Sequence, residues 1–148
     1  MSADNDTTAA VLTADDRHAI QQLLSSYGFH HDARDFDSLA ECFAEDATYT
    51  MVVAGSEPIG PRTGRDAIVD QIRIFKSRQA DQRRHVITNF LFDQETASKA
   101  RVRSYVTVIA VANGVLEVVS SGVYTDLVVR TERGWRIADK TLHLDKGF

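Results

Sequence analysis

Cysteine is almost missing from this chain: Cys42 is the only one among 148 residues. A single thiol excludes an intrachain disulfide and any cysteine-based metal cluster. No stretch reaches the roughly 18 consecutive apolar residues of a transmembrane helix, so no membrane association is expected. The opening MSADNDTTAA lacks the basic-then-apolar order of a secretory signal. Residues 1–12 read instead as a disordered lead-in, and the cytoplasm is the expected compartment. There is no excess of positive charge either. Lys and Arg number 17 against 21 Asp and Glu, a net charge of -4 with the bases scattered among the acids. A nucleic-acid partner normally requires a basic face, so none is expected. Histidines at HxH, HxxxH or HExxH spacing are also missing, and no metal site is read.

What is present fits one globular domain over residues 13–148, long enough to bury a core. Thr13 and Asp16 have capping-box spacing, and behind them Ile20, Leu23, Leu24, Tyr27 and His31 recur at helical spacing. Asp32-Ala33-Arg34-Asp35 interrupts that pattern. A second short helix follows, with Phe36, Leu39, Ala40 and Phe43 as its inward stripe, and Asp46 ends it. Cys42 falls inside this stretch and reads as a small core residue. Residues 47–53 are rich enough in β-branched and aromatic side chains for a strand. The segment 55–64 holds both prolines and three of the eight glycines, which predicts a loop. A third helix is expected over 65–78, with Ile68, Ile72 and Phe75 on one side.

From Arg83 onward the chain changes character. Strands are predicted near 83–93, 98–112, 115–130 and 135–144, with turns at 93–95, Asn113-Gly114 and Arg133-Gly134; Asn-Gly is a strong hairpin signal. Helices followed by long antiparallel strands define an α+β class. Strands this long in a small domain must bend, so the expected architecture is a cone-shaped α+β barrel with the N-terminal helices packed on a strongly curved antiparallel sheet.

The polar residues on these apolar faces are the candidate chemistry. Tyr27 and His31 lie on the stripe of the first helix, with Asp32 at its end. Strand alternation puts His85, Ile87 and Asn89 on one face and Val86, Thr88 and Phe90 on the other; which face lines a pocket stays open. A carboxylate that accepts from one imidazole nitrogen fixes the tautomer and raises the basicity of the other. That nitrogen then removes a proton, while a tyrosine hydroxyl stabilises the developing charge on oxygen. Asp32, His85 and Tyr27 or Tyr49 supply such a set, and Asn89 adds a hydrogen-bonding group for substrate. Blander roles exist for each. Asp32 has the chemistry of a helix N-cap, although Asp35 is better placed for it. Both tyrosines suit a core with satisfied hydroxyls, and His30 and His31 suit surface or stripe positions.

Four stretches carry a resemblance: AIQQLLSSYGFHHDARDFDSLAECFAEDATY, the helix after GPRTGRDAI, RRHVITNF, and GVYTDLVVRTERGWRIADKTL. Together they resemble the SnoaL-like branch of the nuclear transport factor 2-like superfamily, and within it the scytalone dehydratase-like enzymes. The resemblance implies a cone-shaped barrel with an inner pocket, often assembled as a trimer. It also implies that Asp32 and His85 match an aspartate–histidine pair that removes a proton during loss of water, and that Tyr49 matches a strand tyrosine holding a water or carbonyl. Tyr27, five residues before Asp32, matches a tyrosine of the related bile acid dehydratase. Lys140, five residues after Trp135, matches a basic residue that assists the leaving group in hexachlorocyclohexane dehydrochlorinase. Two departures separate this chain from scytalone dehydratase itself. The strand ARVRSYVTVIAVA lacks the second histidine, and His31 stands where the family has tyrosine.

The resulting expectation is a cofactor-independent, dehydratase-type lyase acting on a small, largely apolar hydroxy-carbonyl, polyketide-like or steroid-like molecule. Its catalytic residues are Asp32, His85, Tyr27 and Tyr49, with Asn89 and Lys140 binding substrate. Two alternatives are a ligand-binding module without chemistry and an isomerase of the ketosteroid type, in which Asp32 itself moves the proton. Apolar positions at Val115, Leu116, Val118, Val119 and 127–129 exceed the needs of one small core. They predict a homo-oligomer, trimer first and dimer second.

Overall fold

A computed structural model describes residues 11–148. The lead-in expected over 1–12 therefore lies almost wholly outside the described residues. Its last residue departs from expectation, because Leu12 is buried in the core.

The first helix, α1 (Ala14–Ala33), begins at the predicted capping box: Thr13 accepts from the Asp16 amide, and Asp16 returns the bond to the Thr13 amide. It runs further than the pattern suggests. The buried stripe of Ile20, Leu24, Tyr27 and Gly28 continues to Asp32, so the carboxylate sits on the inward face one turn beyond Gly28. Arg34 then adopts a left-handed conformation and ends the helix. A short helix, α2 (Phe36–Glu41), is capped by Asp35, whose side chain accepts from the Ser38 amide. Asp32 is free of that duty.

Phe43 belongs not to α2 but to the first strand, β1 (Phe43–Val53). Its buried ring pairs in register with Ile137, and the apolar contact wins over helical spacing. The expected loop contains a short exposed strand, β2 (Ile59–Thr63), paired antiparallel to β1. Helix α3 (Arg65–Ser77) buries Ile68, Val69 and Ile72. Four long strands complete the chain: β3 (Gln82–Glu95), β4 (Lys99–Ala112), β5 (Val115–Thr131) and β6 (Gly134–Leu144).

The six strands form one curved sheet in the order β2-β1-β6-β5-β4-β3. It is mixed rather than purely antiparallel, because β1 runs parallel to β6. The edges β2 and β3 are not paired to one another, so the cone stays open. The helices cover the concave face, and the core gathers Leu24, Tyr27, Phe43, Val102, Tyr124 and Ile137. Each such apolar side chain contributes about 1.5–3 kcal/mol on burial.

The surplus apolar positions divide. Val128 is core and Val119 packs against it, whereas Val115, Leu116 and Val118 stand exposed at the β4–β5 end. Among the described residues, no helix is long and apolar enough to cross a membrane.

Candidate active site

Between α1, α3 and the concave sheet lies a cavity enclosing about 650 Å³, its open mouth included. Its walls are mainly apolar, from Met51, Ile68, Ile72, Phe75, Val106, Val108 and Leu142. Into this lining project His31, His85, Tyr27, Tyr49 and Tyr124, with Arg62, Gln71, Gln79 and Arg83 among the other polar residues of the wall.

Asp32 and His85 meet at this wall. Asp32 Oδ1 lies 2.6 Å from His85 Nδ1, and Asp32 Oδ2 accepts from the His85 backbone N–H at 2.9 Å. The two contacts hold ring and backbone together, so the imidazole has little freedom to turn away. With Nδ1 engaged by the carboxylate, Nε2 is left with its lone pair.

Close approach of α1 to β3 makes this possible. At Gly28, one turn before Asp32, a Cβ would lie 3.2 Å from Ile87 Cδ1 and 3.4 Å from the His85 carbonyl oxygen. A side chain there would hold the helix off the strand. Arg34 fixes the other flank, donating to the carbonyls of Lys76 at 2.7 Å and Gln79 at 2.8 Å, which ties the end of α1 to the end of α3.

The pocket face of β3 is the His85 face, since Val86 and Thr88 are exposed. Asn89 does not follow it. The register between β3 and β4 slips between Thr88 and Leu91, and Asn89 adopts a positive φ of 59° at that bulge. The extra residue breaks the alternation, leaving Asn89 exposed and outside the cavity lining.

Lys140 also lies elsewhere than its expected contact with substrate. It is buried behind the tyrosines, with Nζ 2.9 and 3.2 Å from the two oxygens of Asp126. The ammonium stands 4.2 Å from the centre of the Tyr27 ring and 3.8 Å from that of Tyr124. Burial pushes the Asp126 carboxyl up and the Lys140 ammonium down, and each charge partly offsets the shift of the other.

Burial raises the Tyr27, Tyr49 and Tyr124 hydroxyls well above the ordinary phenol range, so all three stay protonated and able to donate. It also drives His31 well below the usual imidazole value, helped by the neighbouring His85 and Lys76 charges. His31 is therefore neutral near pH 7. Its ring centre lies 4.2 Å from that of His85.

Tyr124 and Lys76 were not marked by the sequence. Tyr124 was hidden in a long strand with many apolar neighbours. Lys76 is a helical lysine that the fold buries, and burial lowers its pKa against the opposing pull of Asp32. Cys42 is buried as expected, and burial pushes its thiol up to about 11. His143 is exposed on β6, and His30 lies outside the cavity lining.

Ligand atoms of His31, Asp32 and His85 all lie within 4.8 Å of one another, the spacing of a conceivable metal site. Both Asp32 oxygens are already bound to His85, however. The spacing alone assigns no metal, since atoms of this cluster already form the Asp32–His85 hydrogen bonds. The donor set fits an oriented base better than a metal.

No curated protein matches the chain in sequence. Among solved structures it resembles a Catenulispora acidiphila protein in complex with S-DNPA, at 26% identity over 90% of this chain and 96% of that one, TM-score 0.77. It is similar to a putative aromatic ring hydroxylase from Novosphingobium aromaticivorans, at 26% identity over 92% and 96% of the two chains, TM-score 0.75. In fold alone it matches ActVI-ORFA from Streptomyces coelicolor, at 22% identity over 85% and 95%, TM-score 0.73. The SnoaL-like domain model spans residues 12–141, which take in both Asp32 and His85, and the chain belongs to the SnoaL-like family.

Proposed function

We propose that this protein is a cofactor-independent lyase that removes water from a small, largely apolar hydroxy-carbonyl compound. The observation that carries this reading is the doubly held Asp32–His85 pair opening onto an apolar cavity. His85 Nε2 takes a proton from the carbon beside the carbonyl, and Asp32 stabilises the imidazolium that results. The electron pair of the broken C–H bond passes into the enolate, whose oxygen accepts from Tyr27 or Tyr49. As the enolate collapses, the carbon–oxygen bond one carbon further on breaks. The departing oxygen takes the proton back from His85 and leaves as water. No net oxidation occurs, so the balance needs no redox partner.

The Catenulispora acidiphila neighbour in complex with S-DNPA supports a ligand-binding role for this fold. In the isomerase alternative Asp32 is itself the base, and each of its oxygens already accepts one hydrogen bond from His85. Lys140 acts in this scheme from behind the tyrosines, as a positioning residue.

The test is turnover of a panel of β-hydroxy ketones and polyketide-like hydroxy-carbonyl compounds. His85→Ala and Asp32→Asn should each lower the rate by about 10²- to 10⁴-fold, the usual worth of a positioned general base. Full turnover by both folded variants would remove the elimination reading.

A further inference from the structure

Every strand of the sheet contributes to the cavity wall. Read across the order β2-β1-β6-β5-β4-β3, the contributions include Arg62, Tyr49, Leu142, Tyr124, Val106 and His85. His85 and Arg62 thus stand on the two edge strands, with a mainly apolar floor between them. Arg62 reaches this face because it is the register partner of Tyr49, and directly opposed residues of an antiparallel pair share a face. It is exposed, which places it at the cavity mouth.

The charges around Arg62 do not cancel. The lining holds two arginines and no carboxylate, although the chain as a whole has a net charge of -4. Arg83 is engaged by Asp81, at 2.9 Å from Nε to Oδ1. Among the described residues Arg62 has no ion pair. The nearby acids serve elsewhere. Glu45 pairs with Arg65, and Glu57, Asp66 and Asp70 are exposed and outside the lining. Asp32 is bound to His85 on the opposite edge strand's side, and Asp126 and Lys140 offset one another behind the tyrosines. One unpaired positive charge therefore faces the mouth.

We infer that Arg62 binds a carboxylate at the end of the ligand remote from His85, so that the substrates are apolar hydroxy-carbonyl acids. A guanidinium presents a planar fork that a carboxylate matches with two parallel hydrogen bonds. A single free guanidinium also suits a single charge. A phosphate would bring a second charge, and the lining holds no second unpaired arginine or lysine. The inference deepens the elimination reading, and rests on it for the hydroxy-carbonyl end alone. The carboxylate contact needs no turnover.

The experiment compares 2-naphthylacetate with 2-naphthylacetamide, which share an apolar body and differ in charge, by naphthalene fluorescence at pH 7. The wild-type protein should bind the acetate about five- to tenfold more tightly. That range lies between an exposed ion pair and a buried hydrogen bond to a charged group. Arg62→Gln should bring the two affinities together and leave that of the acetamide unchanged. Arg84→Gln removes an exposed arginine outside the lining and should keep the preference. Circular dichroism confirms the fold of each variant.

Equal wild-type affinities for the two compounds would overturn the inference, as would the absence of saturable acetate binding. A preference that survives Arg62→Gln would overturn it too. So would an equal loss in Arg84→Gln, which would trace the effect to overall charge. None of these readouts involves turnover, so the carboxylate contact and the elimination reading can fail separately.

Discussion

Asp126 and Lys140 face each other in register across β5 and β6, each 1% exposed, with the ammonium held between the carboxylate and the faces of two tyrosine rings. Neither charge reaches water. Removing one partner strands the other, so Lys140→Met should destabilise the fold by about 3–5 kcal/mol in denaturant unfolding. Replacing both, as Lys140→Met with Asp126→Leu, should recover most of that loss. A single variant as stable as wild type would contradict this view of the pair.

Gly28 sets the distance between helix and strand at the dyad. Gly28→Val should push α1 from β3, because its added methyls meet Ile87 and the His85 carbonyl. Overpacking of this kind costs about 1–3 kcal/mol. The second consequence is separation of Asp32 from His85, so turnover should fall with stability. Gly28→Val with unimpaired turnover would show that the pair tolerates a wider gap.

Acid should act in two windows. His31 has a folded pKa below its ordinary 6.5, so the unfolded chain binds a proton there that the folded chain does not. Its contribution is fully present above about pH 6.5 and is lost as pH falls towards the folded value. Asp16 is held at about 2 by Arg130 and the Thr13 amide, so its contribution is present above 3.8 and is lost as pH falls through about 2. Stability measured between pH 7 and 5 should decline in the wild type and flatten by up to one proton's worth of slope in His31→Phe. An unchanged slope would mean that His31 titrates normally.

The exposed apolar cluster at the β4–β5 end includes Leu116 at 65% and Val118 at 69% exposure. We propose that it packs against further copies of this chain, trimer first and dimer second. Sedimentation at micromolar concentration should show an assembly for the wild type and a monomer for Leu116→Glu with Val118→Glu. A monomeric wild type would refute the proposal.

Much of the fold was legible because the strands are long and their turns well marked. Asn113 and Gly114, both at positive φ, make the turn the dipeptide predicts, and the capping box at Thr13 forms in full. What misled was local pattern overridden by partners distant in sequence. Phe43 has helical spacing but finds Ile137, and 59–63 looks like loop but borrows an edge from β1. The Asp32–His85 contact was legible in identity, from Asp32 at the end of the first helix, His85 near the start of a long strand, and the family resemblance. Asn89 was misplaced because alternation assumes an unbroken ladder, and no residue pattern announced the bulge. For Lys140 the sequence carried no sign that Asp126 would neutralise it, since the partnership exists only across two paired strands.

The parallel pairing of β1 with β6 has a further consequence, for biosynthesis. Tyr49 and Lys140 are register partners, so the wall bearing this tyrosine cannot assemble until the last strand has left the ribosome. Until then a nascent chain would present β1 and β5 as two open edges, each a template for wrong pairing. Closing so long a loop late also makes refolding slow compared with a helical domain of equal size. Chaperone demand should thus be set by residues 134–144, far in sequence from the carboxylate that the finished sheet helps to enclose.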